Sequence, residues 1–128
     1  MKEFMLYIRN DGSELPAETE QDFLKQCEIY IERLKADRKL IGAQPLANEG
    51  IMISGTGGEW RQADYHDSKD SNAGYYHIRA KNLDEAIAIA KQNPEFAYRK
   101  TARIEVRPIK TDEESTEYMY PSEAATNR

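Results

Sequence analysis

The segment from Gly74 to Asn93 restricts the fold more than any other stretch. Its first part, Gly74-Tyr75-Tyr76-His77-Ile78-Arg79-Ala80-Lys81, alternates in character: Tyr76, Ile78 and Ala80 fall on one side, Tyr75, His77 and Arg79 on the other. That is the period of a strand with one packed and one polar face. Its second part, Asn82 to Asn93, has helical spacing. Asn82 stands three residues before Glu85, the separation at which a helix's first free amides are capped reciprocally, with Asn in place of the usual Ser or Thr. A strand that runs straight into an amphipathic helix must lay that helix over its apolar face. The polar face is then either solvated or the floor of a binding cavity.

The same logic extends along the chain. Phe4, Leu6 and Ile8 alternate with Met5, Tyr7 and Arg9, which predicts a first strand, and Asn10-Asp11-Gly12-Ser13 breaks it. Pro16 suits the start of a long helix over residues 17–37 because proline costs little in a first turn. Glu18, Glu20 and Asp22 at its start and Arg33, Lys35, Arg38 and Lys39 at its end complement the helix dipole. Phe23, Cys27, Tyr30, Ile31 and Leu34 form its apolar stripe. Residues 40–46 read as a second strand, with Pro45 pointing to a sheet edge or strand end. Ile51-Met52-Ile53-Ser54, a turn at Gly55-Thr56-Gly57-Gly58 and Glu59-Trp60-Arg61 form an inserted hairpin, followed by a polar loop from Gln62 to Asn72. Asn93-Pro94 stops the second helix. Residues 102–109 are the last strand, with Ile104 and Val106 opposite Arg103, Glu105 and Arg107. The order, with right-handed crossovers, predicts a ferredoxin-like α+β fold, βαββαβ with one extra hairpin.

Charge divides the chain in two. Residues 1–110 carry 18 acidic and 17 basic side chains, whereas residues 111–128 carry 5 acidic and 1 basic. The expectation is therefore one domain over 1–110 and an acidic, flexible tail over 111–128, with Tyr118, Met119 and Tyr120 able to dock on a neighbouring surface. A nearly neutral body offers no long-range attraction to nucleic acid or an anionic membrane. Cys27 is the single cysteine, so it reads as a small buried thiol rather than a nucleophile. The apolar run at the N-terminus is too short for a leader or a membrane span and reads as a strand, so the chain is placed in the cytoplasm.

Several segments, taken in order, resemble the YCII-related, or DGPF, domain family: Met1 to Leu6, Lys39 to Leu46, Ser68-Lys69-Asp70, Gly74 to Ile78, Leu83 to Ala86, and Glu105 to Ile109. The resemblance covers about residues 3–109. It implies a small ferredoxin-like domain that pairs into a dimeric α+β barrel. Most members have no established activity; a few relatives are lyase-like or dehydrochlorinase-like enzymes with a His–Asp pair proposed at the site. Where the family usually carries Asp-Gly-Pro-Phe, this chain has Gln62-Ala63-Asp64-Tyr65, which removes the leading carboxylate. Asp67, Ser68, Lys69 and Asp70 keep the family's acidic-hydroxyl-Lys-acidic pattern. His77 is not typical of the family, so its role rests on geometry alone.

Two groups of residues could carry chemistry. If apolar strand positions face the helices, Tyr7, Arg9, Tyr75, His77 and Arg79, with Arg103, Glu105 and Arg107, share the opposite face. Histidine can move a proton near neutral pH, tyrosine can donate a hydrogen bond and arginine can hold a carboxylate with two. The bland alternative is a polar dimer interface in which Arg79, Arg103 or Arg107 merely pairs with Glu105. The second group is Asp64-Tyr65-His66-Asp67 with Asp70, where a carboxylate beside histidine could do acid–base work. Its bland alternative is a solvated loop, and it lacks the spacing of a metal site. Gly55-Thr56-Gly57-Gly58 lacks the Gly-Lys-Ser/Thr ending of a phosphate loop and is a turn. Trp60 packs against a partner, covers the cavity, or simply packs within the chain.

Together these residues predict a homodimer that binds a small anionic or phenolic ligand on the non-helical sheet face through Tyr7, Arg9, Asp67, Tyr75, His77 and Arg79. No cofactor, metal, nucleic acid or membrane enters it. The alternative is a lyase- or isomerase-type enzyme using histidine–carboxylate acid–base chemistry, with His77 as proton carrier and Asp67 as orienting carboxylate.

Overall fold

The computed structural model describes residues 1–65 and 70–121. Strand β1 (Lys2–Asn10) lies between β5 (Ser71–Ala80) and β6 (Arg103–Pro108), and β2 (Leu40–Pro45) lies outside β5. The order β2-β5-β1-β6 is antiparallel at every pairing. Helix α1 (Ala17–Ala36) links β1 to β2 and α2 (Leu83–Lys91) links β5 towards β6. Both strands joined by a helix are separated by a third strand, which is the split arrangement of a ferredoxin-like α+β fold. Pro45 sits on the edge strand, where a missing ladder donor does least harm.

The alternation read from the sequence decides which face is packed. Phe4, Leu6 and Ile8 of β1 and Tyr76, Ile78 and Ala80 of β5 are buried, and Ile104 and Val106 of β6 pack against them. Tyr30 and Leu34 of α1 and Ala86, Ile89 and Ala90 of α2 complete this core. Leu6 and Ile78 are wholly inaccessible, so truncating Leu6 to alanine removes packing that costs about 2–5 kcal/mol to lose. The Tyr30 ring meets Tyr76 edge-on at 5.4 Å, and its hydroxyl donates to the Ile89 carbonyl at 2.8 Å. One residue thereby locks α1 to both the sheet and α2.

Local signals act much as the sequence implies, with small displacements. Asn82 Oδ1 accepts from the Glu85 N–H at 2.9 Å, but the Glu85 carboxylate reaches the Lys81 N–H at 3.3 Å rather than that of Asn82. Pro16 is the N-cap of α1, immediately before its first helical residue, as the helix start at residue 17 implies. The α1 C-terminus ends with Arg38 in the left-handed region (φ 59°), the Arg38 N–H bonded to the Lys35 carbonyl and the Lys39 N–H to that of Leu34. That is a Schellman ending with arginine where glycine is usual. After Pro94 a single short turn of helix, α3 (Glu95–Tyr98), was not foreseen.

Strands β3 (Ile51–Thr56) and β4 (Glu59–Asp64) form a separate two-stranded hairpin, longer than expected on both sides. The polar segment after it is correspondingly shorter, because residues 61–64 pair with 51–54. Gly55, at φ 127°, cannot carry a side chain: a Cβ there would lie 2.0 Å from the Glu59 carbonyl oxygen. Every hairpin residue is exposed, Trp60 at 64%. Residues 112–119 add two short paired strands, β7 (Asp112–Glu113) and β8 (Tyr118–Met119), with Tyr118 and Tyr120 edge to face. No described helix is long and apolar enough to cross a membrane.

Candidate functional site

The helices cover one side of the sheet, so residues out of phase with the core share the other. Register identifies them. Across β1 and β5, Glu3 stands opposite Arg79, Met5 opposite His77 and Tyr7 opposite Tyr75. Across β1 and β6, Met5 stands opposite Arg107, Tyr7 opposite Glu105 and Arg9 opposite Arg103. On β2, Gly42 faces His77 and Gln44 faces Tyr75. Paired residues of an antiparallel ladder project to the same side. Tyr7, Arg9, Tyr75, His77 and Arg79 therefore lie together on the side away from the helices, each half-buried by its neighbours. A bulge between Ile8 and Arg9 moves Arg9 opposite Asn72 instead of Ala73.

One pair on this face was not anticipated. His77 Nε2 lies 2.8 Å from Glu3 Oε1, with the two side chains 20% and 3% exposed. Glu3 occupies the same β1 phase as Met5, Tyr7 and Arg9, so its face was legible from period two. Its contact with His77 was not, because the two are diagonal rather than directly opposite and only the strand register brings them together. Thus the carboxylate that holds the histidine is Glu3. Asp67, expected in that role, lies outside the described residues, as does His66.

Arg79 differs from the other arginines of this face. It forms no ion pair among the described residues, whereas Arg9 Nε meets Glu105 at 3.2 Å and lies 3.8 Å from Asp70. Arg103 bonds Asp70 at 2.6 Å and Arg107 approaches Glu105 at 3.8 Å. The bland pairing with Glu105 is therefore realised for Arg107 but not for Arg79, Arg103 meets Asp70, and Arg9, outside that expectation, also pairs with Glu105. Met5 stands between Arg107 of this charged ladder and His77, and Tyr7 between Glu105 and Tyr75. Beside His77, Gly42 leaves a gap: a Cβ built there would meet nothing within 4 Å.

Of the second candidate segment, Asp64, Tyr65 and Asp70 are among the described residues. Asp64 ends β4 opposite Ile51 and is exposed. The Tyr65 hydroxyl lies 3.4 Å from Ser71 Oγ and accepts from the Asn72 N–H at 3.0 Å, and these two bonds lower its pKa below that of a free phenol. Tyr65 thus anchors the start of β5. Among the described residues no group of three His, Cys, Asp or Glu side chains could hold a metal ion. Cys27 is half-buried, and burial with the nearby Glu95 charge pushes its thiol up to about 11, which leaves little thiolate at neutral pH. On the helical side a cleft of about 200 Å³ runs between Tyr30, Arg33, Lys39, Glu85 and Gln92. Lys39 pairs there with Glu85 at 3.4 Å.

Against known proteins, the model of the YCII-related domain matches residues 2–111. No curated protein matches. Among solved structures, 5-chloro-2-hydroxyhydroquinone dehydrochlorinase from Burkholderia phenoliruptrix AC1100, in complex with 2,5-dihydroxybenzoquinone, is similar over 80% of this chain and 90% of its own, at 23% identity and a TM-score of 0.44.

Proposed function

This chain belongs to the YCII-related domain family, and on that premise we propose that it is a homodimeric domain that binds a small anionic or phenolic ligand on the sheet face away from the helices. One observation carries the reading. Arg79 has no ion pair among the described residues and sits two positions from His77 on one strand, next to the gap left by Gly42. A guanidinium that is half-buried and unmatched is suited to take a carboxylate or phenolate with two hydrogen bonds. Tyr7 and Tyr75, opposite each other in the ladder, supply ring surface and hydroxyl donors beside it. The second copy closes the cavity by covering the same face, and the exposed hairpin with Ile51, Ile53 and Trp60 gives it an apolar contact. Arg9 belongs to the rim in this reading, and Asp67 lies outside the described residues.

A second reading, a lyase- or isomerase-type enzyme, is favoured by the Glu3–His77 pair, since a carboxylate-held imidazole is equipped to move protons. A thermal-shift screen of small carboxylates and phenols separates the readings, with hits assayed for turnover. The binding reading expects stabilisation by at least one hydroxybenzoate-like compound, lost in Arg79→Ala, and sedimentation at twice the chain mass. Turnover abolished by His77→Ala supports the enzyme. No stabilisation by any anion, together with a monomer, contradicts both.

A further inference from the structure

Glu3 can be assigned a specific task at this site. Its side chain is 3% exposed and its Oε1 lies 2.8 Å from His77 Nε2. An ionised carboxylate only accepts hydrogen bonds, and a neutral imidazole carries one N–H and one lone pair. The nitrogen against Glu3 must then be the one with the proton. Nδ1 is left as the lone-pair nitrogen, and it has no hydrogen-bond partner among the described residues. A short contact to a nearly inaccessible oxygen is also directional, so it fixes ring orientation together with tautomer.

We infer that Glu3 is a positioning residue that holds His77 as its Nε2–H tautomer, so that the site selects ligands bearing a neutral hydroxyl as well as an anionic group. The inference rests on the ligand-binding reading above and deepens it. The anionic group goes to Arg79, the nearest unmatched cation on the same strand face. The hydroxyl donates to Nδ1 in the space beside Gly42, where a Cβ would meet nothing within 4 Å. A diacid of similar length would instead set a carboxylate lone pair against the Nδ1 lone pair. An unmet polar group of this kind weakens binding by about tenfold or more. Arg79 alone would not make this distinction, because it accepts either anion.

The test has a readout that needs no ligand. Long-range 1H–15N spectra of the His77 ring, recorded at about pH 8.5 where imidazole is neutral, report the tautomer directly. The wild-type ring is expected in the Nε2–H form, and Glu3→Gln, whose amide can donate as well as accept, is expected to shift it towards Nδ1–H or a mixture. With 4-hydroxybenzoate and terephthalate as probes, titration calorimetry should favour the hydroxy acid about tenfold in the wild type and much less in Glu3→Gln. A wild-type ring in the Nδ1–H form, or a tautomer unmoved by Glu3→Gln, overturns the inference even if 4-hydroxybenzoate binds. If neither probe binds while the ring behaves as expected, the positioning role of Glu3 stands and the ligand reading falls. Should Glu3→Gln fail to fold, the wild-type spectrum alone still decides the tautomer.

Discussion

Glu95 shows how one side chain can set a cost for the whole domain. It is buried at the start of α3, where its carboxylate accepts from Asn10 Nδ2 at 3.3 Å and lies 3.7 Å from Arg99 Nε. Burial raises its pKa above the ordinary glutamate value, and the Asn10 bond and the Arg99 charge offset that rise only in part. Between the ordinary value and the raised one, the folded chain therefore holds a proton that the unfolded chain has released. Stability falls as pH rises through that interval, and the cost is fully present above it. Glu95→Gln keeps an acceptor for Asn10 and removes the ionisation. Its melting temperature should exceed that of the wild type at about pH 7, and the advantage should vanish below about pH 4. An equal difference at both pH values would place the effect in packing instead. The Glu3–His77 pair belongs to the same scale but to a different face, and no residue-by-residue reading of the sequence finds it. Both residues are visible in the right phase; the diagonal that joins them is a property of strand register.

Among the elements, the strands of the four-stranded sheet were legible, whereas element endings and the short β7–β8 pair were not. Period-two alternation in β1, β5 and β6 predicts which residues face the helices, because side chains on a strand have only two directions and burial selects one. The Asn82 cap was equally visible, although Glu85 serves Lys81. Helix α3 was hidden because four residues after Pro94 hold too little periodicity to register. The hairpin extends further than expected because β4 continues as Gln62-Ala63-Asp64, which read as the start of a polar loop while their backbones pair. The α1 ending offers a direct test of local energetics. Arg38 adopts a conformation that costs an L-residue about 1–2 kcal/mol, while its two Schellman hydrogen bonds use only backbone atoms. Arg38→Gly should therefore stabilise the domain by about 0.5–1 kcal/mol after glycine's larger unfolded-state entropy is counted. Chemical denaturation measures it, and a loss of stability would mean that the Arg38 side chain contributes packing not captured by the backbone pattern.

At the scale of the whole molecule, the two helices divide the sheet into a packed side and a half-buried polar side. On the polar side, charge is matched along β1 and β6, where Arg9, Arg103 and Arg107 meet Asp70 and Glu105, and unmatched at Arg79 on β5. The cleft on the helical side is the competing location for a ligand, but its lysine and glutamate already neutralise each other. Family membership identifies the domain without naming its ligand, and the departure at Gln62-Ala63-Asp64-Tyr65 removes the position where acid–base chemistry would first be sought. What remains is a question of side. The aromatic rings report it independently, because Tyr7, Tyr75 and His77 lie on the polar side whereas Tyr30 and Tyr76 lie in the core against the helices. Aromatic 1H–13C spectra recorded during titration with 4-hydroxybenzoate should shift the first three rings and leave Tyr30 and Tyr76 in place. Movement of Tyr30 with Lys39 and Glu85, and none of His77, would put the ligand in the helical cleft and contradict the account.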